Sequence, residues 1–377
     1  MDTASLQERY SRQMRVPQVG ESGQACLGSA AALIVGCGAL GSMQAELLAR
    51  MGIGRLRLID RDTVEWSNLS RQVLFTEADA NDGAPKAIAA ARRLKAINSA
   101  VRTEALVQTL DATTVGNCLE GIDVVLDGTD NFPTRYALND ACVRQGVPWV
   151  YAGVAGTTAM VLPVRPTGGP CLRCLFREPP PEAAVSTCRT EGVLATTVAA
   201  AVAHQVTLAC QFILGVPPRG ELLHLDLWSS RCRPLRLAAV PDCPCCQRRD
   251  FAFLAAPPQV VAESVCGQDA VRLAPAFWGT IGVVPGAAVA ALSAAGLAVR
   301  DLGLLREAQL EGWRLCLYPD GQVMVHGCSD PEAAVRGLSE RLRSQGETSR
   351  HPCGVPDVPP SADGGCSHSA QGGSRNG

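Results

Sequence analysis

"AALIVGCGALG", residues 31 to 41, is an apolar run that ends in G-x-G-x-x-G. The run reads as a buried strand and the glycines as a sharp turn into a helix beginning near Ala39. Gly36 permits the tight bend, Gly38 lets backbone approach a phosphate, and Gly41 lets helix and strand pack closely. The N–H groups that open the helix then face an anion. Asp60 ends the next apolar strand, "RLRLID", where an acid can bind ribose hydroxyls. On this pattern alone NAD is the favoured ligand and an NAD-dependent oxidoreductase the favoured class, although the motif carries little specificity by itself.

The surrounding chain extends that reading. Residues 31 to 165 alternate in βα fashion, with "AALIVG", "RLRLID", "IDVVLD" and "PWVYAG" as strands and a helix through "FPTRYALNDACVRQ". Short apolar strands between helices predict a doubly wound sheet, parallel, with helices on both faces. "DRDTVEWSNLSRQ", residues 60 to 72, places Asn68 and Arg71 just after Asp60, and Lys86 follows at an expected helix start. "DGTDN" then delivers Asp127, Asp130 and Asn131 to the carboxyl edge of the sheet, where open α/β folds bind ligands. A hydride-transfer site calls for none of this. A triphosphate with magnesium wants cations for its oxygens and a carboxylate for the metal, and Arg71, Lys86 and Asp130 supply that set. Lys86 and Lys95 are the chain's two lysines among 34 basic residues, so the ammonium at position 86 stands out against an arginine background. Taken singly, each of these residues is also explained by a surface ion pair or a strand-end turn.

Taken together, "GCGALG", "DRDTVEWSNLSRQ", Lys86 and "GTDN" resemble the ThiF/MoeB family of adenylyltransferases, relatives of the ubiquitin-activating enzymes, over residues 5 to about 250. The resemblance implies a Rossmann-like fold. It also implies ATP-dependent activation of the C-terminal glycine carboxylate of a small ubiquitin-fold sulfur-carrier protein ending in Gly-Gly, for molybdopterin, thiamin or a related pathway. Carried over residue by residue, Gly38, Ala39 and Gly41 line the phosphate turn, and Asp60 and Asp62 lie beside the nucleotide. Asn68, Arg71 and Lys86 contact phosphates, with Ser67 next to them, and Asp130 binds magnesium with Asn131 alongside. Arg12, in "RYSRQ", matches an arginine that crosses a homodimer interface to the partner's ATP, so a homodimer is expected. A ribosomal peptide or a tRNA-linked threonylcarbamoyl group is the alternative acceptor.

"CLRC" and "CPCC" contribute Cys171, Cys174, Cys243 and Cys246, two C-x-x-C pairs. That spacing lets both thiolates of a pair reach one tetrahedral zinc. The resemblance places a structural zinc at these positions. Four sulfur ligands would leave no open coordination site, which assigns the metal to stability; Cys245 is an alternative ligand. Cys188, in "STCRTEGVL", sits at a crossover position where some family members carry an acceptor of sulfur or of the acyl group and others do not need one. The rest of the 17 cysteines read as thiols rather than disulfides in a reducing compartment.

A net charge of -2 gives no reason to expect nucleic acid or an acidic membrane as partner. The N-terminus lacks the basic-then-apolar layout of a secretory signal, so a cytoplasmic location is expected. Two long uncharged stretches, "VLATTVAAAVAHQVTLACQFILGV" and "FWGTIGVVPGAAVAALSAAGLAV", read as buried elements. The first carries His204, expected as a hydrogen-bonded core residue, and Gln205; the second is broken by Gly and Pro.

The organisation predicted is an ATP-binding adenylyltransferase domain with a zinc-bearing segment over 1–250, a small α+β extension over 251–343, and a disordered tail over 344–377. Pro319, Asp320 and Gly321 mark a hairpin turn in the extension. No rhodanese-type C-x-x-G loop closes a βα unit there, which makes Cys266, Cys316 and Cys328 ordinary thiols. Any sulfur donor is then separate from this chain.

Overall fold

The computed structural model describes residues 3–180, 191–255, 261–264, 269–301, 305–319 and 321–343. The expected tail over 344–377 lies outside them. Eight strands form one sheet: β1 (Ala31–Val35), β2 (Arg55–Ile59), β3 (Arg102–Leu106), β4 (Val124–Asp127), β5 (Trp149–Ala155), β6 (Thr158–Val164), β7 (Glu221–Asp226) and β8 (Arg231–Arg236). Their order is β3-β2-β1-β4-β5-β6-β7-β8. The first five are parallel, as the βα alternation predicts, and β5 to β8 continue as antiparallel pairs.

Period-two alternation distributes β1 between two cores. Ala32 and Ile34 face one, with Leu48 and Ala49 of helix Ala39–Met51, Leu94 of helix Lys86–Ile97, and Val198, Ala201 and Val202 of helix Ala195–Ile213. Ala31, Leu33 and Val35 face the other, with Tyr136, Leu138 and Cys142 of helix Phe132–Gln145. Because both faces are covered, β1 and β4 are buried throughout and need continuous apolar sequence. The helix Phe132–Gln145 opens with the Asn131 side chain accepting from Thr134 N, carries proline in its first turn, and stops at Gly146 in the left-handed region.

Ala195–Ile213 is long and apolar enough to cross a membrane by composition. Here it is a core helix, packed across β4, β5 and β6. His204 differs from its expected role. It is half-buried, and the next residue, Gln205, is the fully buried hydrogen-bonding group. A helix turns about 100° per residue, which puts Gln205 with buried Ala201 and Val202 on the core side and His204 beside exposed Ala203 at its margin.

A second sheet, all antiparallel, contains β9 (Ala262–Ser264), β10 (Ala270–Leu273), β11 (Arg300–Asp301), β12 (Arg306–Leu310), β13 (Trp313–Leu317) and β14 (Val323–His326). The expected hairpin joins β13 to β14, with Gly321 at φ 88°; Asp320 lies outside the described residues. One face packs on helices Ala276–Thr280, Ala288–Ala294 and Pro331–Arg343 through Phe277, Leu292 and Leu338. The other presents Ala270, Leu305, Cys316, Tyr318 and Met324 to Val107 of the larger unit.

At the end of β4, Asp127 is fully buried and paired with Arg135, whose Nε donates to Oδ2 at 2.9 Å. Arg135 Nη2 also donates to the carbonyls of Thr129 and Ala152, at 2.7 and 2.9 Å. Removing one partner of such a pair strands a charge in a dry interior. Arg135→Met is therefore expected to lower the free energy of unfolding by about 3–5 kcal/mol, measured by urea denaturation with circular dichroism.

Candidate nucleotide site and cysteine cluster

The three glycines of the opening turn do different work. Gly36 adopts φ +85°, and a Cβ there would lie 2.8 Å from the Gly128 carbonyl oxygen. A Cβ on Gly41 would fall 1.7 Å from the Gly36 carbonyl oxygen, so strand end and helix start touch backbone to backbone. At Gly38 the nearest atoms, Gln72 Nε2 and the Gly128 carbonyl oxygen, are 4.0 Å away. Helix Ala39–Met51 starts without a side-chain cap, which leaves its opening N–H groups to an external acceptor. Gly36 and Gly41 thus close the fold, while Gly38 keeps its surroundings open.

Asp60 anchors the turn from the neighbouring strand. Its Oδ2 accepts from Cys37 N at 2.6 Å and its Oδ1 from Asp62 N at 2.7 Å. Burial pushes its pKa up to about 6, with Asp62 adding to the rise and Lys86 opposing it. Lys86 begins its helix and is 6% exposed, with Nζ donating to Asp62 Oδ2 at 3.0 Å. Burial disfavours its charge, but Asp62 and Asp60 outweigh that cost and hold its pKa above the ordinary lysine value. The buried Cys37 thiol is raised by burial first and then by Asp60, with Lys86 acting oppositely, which places all three groups in one neighbourhood.

The segment from 65 to 72 folds back on itself. Asn68 Oδ1 accepts from Glu65 N at 3.2 Å, Asn68 Nδ2 donates to Ser67 Oγ at 3.2 Å, and Arg71 Nη1 donates to the Ser67 carbonyl at 2.8 Å. Asn68 is buried by this local cap, whereas Arg71 stays partly exposed. Glu65 acts on Lys86 electrostatically, tying this segment to the same site. Across the turn, Asp127 has both oxygens engaged, Oδ1 by Thr129 N and Oγ1 and Oδ2 by Arg135. Asp127, grouped with Asp130 and Asn131 from the sequence, is thereby structural. Asp130 is exposed and acts on Arg135 through space, and Asn131 caps its helix. Arg12 is exposed, just beyond the first helix, Thr3–Tyr10.

Sequence reading gave no role to three buried amides, Gln44, Gln205 and Gln72. Gln44 Nε2 donates to the Asp127 carbonyl and to Gln205 Oε1, at 2.9 and 2.7 Å, while Gln205 Nε2 donates to the Asp127 and Val150 carbonyls, both at 3.1 Å. Gln72 is buried beside Gly38, and its Oε1 has no hydrogen-bond partner among the described residues. Its position next to Arg71 in "NLSRQ" was the available signal.

The cysteine pairs meet as the spacing predicts. The Sγ atoms of Cys171, Cys174, Cys243 and Cys246 all lie within 4.8 Å of one another, with Cys171–Cys243 at 3.6 Å and Cys174–Cys246 at 3.5 Å. Disulfides need about 2.05 Å, whereas thiolates on one tetrahedral zinc sit ~3.8 Å apart. The four thiols therefore fit zinc. Cys245 borders the cluster, interacting with Cys171 as well as accepting from Asn139 Nδ2 at 3.2 Å, but the four mutually close sulfurs do not include it. Cys188 and Cys266 lie outside the described residues. Cys316 and Cys328 are buried, the latter with Sγ 3.3 Å from the Asp330 carbonyl.

This is the layout of an α/β nucleotide-binding domain with a cysteine cluster beside its sheet. Residues 10–245 match the ThiF family, and the chain belongs to it. It is 36% identical over 324 residues to the sulfur carrier protein ThiS adenylyltransferase of Bacillus subtilis, covering 85% of this chain and 95% of that protein. It is 40% identical over 246 residues to the sulfur carrier protein adenylyltransferase of Thermus thermophilus, covering 63% of this chain and 90% of that one. Against the pig adenylyltransferase and sulfurtransferase MOCS3 the identity is 41% over 244 residues; 64% of this chain aligns, with only 53% of the relative. Among solved structures, Escherichia coli MccB with ATP superposes at TM-score 0.55 and 25% identity, over 63% of this chain and 74% of that one.

Two measurements test these sites. Gly41→Ala is expected to give an unfolded or severely destabilised protein and Gly38→Ala a folded one that has lost nucleotide affinity, by thermal melts with and without ATP. Metal analysis is expected to give about one zinc per chain. Cys174→Ser should lose the metal and stability together, whereas Cys245→Ser should keep the metal; a metal-free, stable wild-type preparation would refute the site.

Proposed function

We infer that the protein is an adenylyltransferase that activates the C-terminal glycine carboxylate of a small ubiquitin-fold sulfur-carrier protein with ATP, releasing pyrophosphate. One observation carries the reading: the sulfur-carrier adenylyltransferase of Bacillus subtilis aligns over 85% of this chain, a span that cannot be met by the larger unit alone. The local chemistry supports it. A carboxylate is a weak electrophile; its oxygen attacks the α-phosphorus, an O–P bond forms, and the Pα–O bond to the β-phosphate breaks as pyrophosphate leaves with the electron pair. The attacking group is already ionised, so the step needs no general base and depends on alignment and on charge stabilisation.

The roles assigned are those the family resemblance implies, carried onto the side chains described above. The N–H groups around Gly38, Ala39 and Gly41 cradle phosphate, with Ser67 and Asn68 shaping the opposite wall. Lys86 and Arg71 neutralise phosphate oxygens as charge grows on the leaving pyrophosphate, and Asp60 and Asp62 flank the ribose and Lys86. Asp127 is committed to Arg135 and Thr129; Asp130, exposed at the same strand end with Asn131 beside it, is assigned to hold magnesium, which would supply charge neutralisation at the phosphates. Zinc on Cys171, Cys174, Cys243 and Cys246 would cross-link segments 72 residues apart and add stability rather than chemistry. Arg12 is assigned to a partner copy's ATP in a homodimer. The sulfur donor is separate from this chain, and the reaction is placed in the cytoplasm.

The test is pyrophosphate exchange into ATP with magnesium, with and without a ubiquitin-fold carrier ending in Gly-Gly. Carrier-dependent exchange is expected, falling by at least about 100-fold in Arg71→Ala and in Lys86→Ala, the scale of losing one charge-stabilising donor. ATP binding without exchange on any carrier would move the acceptor to a peptide or a tRNA-linked group.

A further inference from the structure

The segment that follows β3 runs between the two acidic sides of the nucleotide site. At its start the Leu106 carbonyl accepts from Asp60 N at 3.1 Å. At its far end the Leu110 carbonyl accepts from Thr134 Oγ1 at 3.4 Å, within the first turn of the helix that Asn131 caps. Between these anchors the second sheet takes hold of the chain. Val107 packs against Ala270, Leu305, Cys316, Tyr318 and Met324. Thr109 Oγ1 donates to Gln322 Oε1 at 3.0 Å and accepts from Arg272 Nη1 at 2.8 Å, and Arg272 Nη1 also reaches Gln322 Oε1 at 3.4 Å.

The same sheet touches the loop on the other side of Asp60. Arg314 Nη1 lies 3.4 Å from where a Cβ on Gly83 would stand. That loop is tied to the strand end by Val64 N donating to the Ala84 carbonyl at 2.8 Å and Lys86 N to the Asp62 carbonyl at 2.9 Å. The contacts thus fall on both loops flanking the strand end that bears Asp60 and Asp62. In open α/β sheets this carboxyl edge is where the ligand sits, and its loops are by nature among the less stable parts of the fold.

We infer that the C-terminal sheet is a positioning element of the nucleotide site, with Arg272 and Gln322 acting through Thr109 to fix residues 107–110 as the wall beside the nucleoside half of ATP. The inference rests on reading the site as an ATP site. A wall fixed before ATP arrives removes an ordering cost from binding. Arg272, Gln322 and Thr109 bond to one another, whereas Lys86 is held by Asp62 and Arg71 by the Ser67 carbonyl, so the first set governs how well ATP is held and leaves the chemical step to the phosphate-side groups. Thr109 is the discriminating position because its hydroxyl donates to one partner and accepts from the other.

The experiment uses the full chain, titrating ATP by calorimetry and measuring KM for ATP and kcat in pyrophosphate exchange. Thr109→Val is expected to weaken ATP binding and raise KM about five- to tenfold, the effect of one lost hydrogen-bonded anchor, with kcat unchanged. Thr109→Ser should restore both, and Gln322→Leu should reproduce the valine variant. Wild-type ATP affinity in Thr109→Val, a fall in kcat at constant KM, or a loss that Thr109→Ser fails to rescue would each overturn the inference. A wild-type chain that binds ATP yet supports no exchange would sink the carrier reading alone, and the calorimetric series would still decide this one; absence of ATP binding by the wild type would overturn both.

Discussion

Asp127 is the point through which the larger unit is tied together. Its carboxylate holds Arg135 and Thr129, and its carbonyl accepts from Gln44 and Gln205. One residue at the end of β4 therefore binds three helices to the sheet: Ala39–Met51 through Gln44, Phe132–Gln145 through Arg135, and Ala195–Ile213 through Gln205. A buried carboxylate is costly unless its charge and lone pairs are met. Arg135 meets that requirement with further bonds to the Thr129 and Ala152 carbonyls, and lies 5.1 Å from the Tyr151 ring and 5.4 Å from that of Phe132. The turn carrying Asp130 is consequently set by the core and not by solvent.

The phosphate turn depends on this arrangement. Gly128, next to Asp127, sits so close to Gly36 that a Cβ on it would lie 2.4 Å from the Gly36 carbonyl oxygen. Strand ends β1 and β4 therefore meet at a glycine-to-glycine contact, and Asp60 holds the same turn from β2 through Cys37 N. Any shift in Asp127 would be passed to the N–H groups of Gly38 and Ala39, because densely packed backbone contacts transmit displacement instead of absorbing it.

How far the sequence was legible follows from which interactions are local. The strand and turn at 31–41, the helix start at Lys86 and each C-x-x-C pair depend on neighbours within a few residues, and each stands where the pattern put it, although the two pairs meet across 72 residues. The antiparallel β5–β6 hairpin escaped notice because Thr158–Val164 is apolar along much of its length and follows β5 without a strong turn signal beyond Gly156. The Gln44–Gln205 bridge spans 161 residues, and no local periodicity encodes such a pairing. Asp127 and Asp130 look equivalent in "DGTDN", yet one is fully buried and the other exposed. Only the position of Arg135, two turns further on, separates them. Cys245 and Cys246 look equivalent in "CPCC" too, yet only the second joins the four mutually close sulfurs, while the first also accepts from Asn139.

Lys86 shows why the site needs more than one cation. Its ammonium is balanced by Asp62 at 3.0 Å and by the field of Asp60. In the ATP site proposed above, a phosphate would share this lysine with Asp62 and Asp60, so the net gain from Lys86 is smaller than a bare Coulomb estimate implies. The remaining attraction must come from groups that gain more than they give up. The uncapped N-terminus of helix Ala39–Met51 is one, and the partly exposed Arg71, with one Nη donor on the Ser67 carbonyl, is another. Asp60 completes the balance. Burial lifts its pKa to about 6, so near neutral pH it is ionised at the expense of desolvation, and that cost is offset by Lys86 and two backbone N–H groups. The acids that balance the lysine, Asp62 and Asp60, are thus the same ones that hold the turn and the strand end.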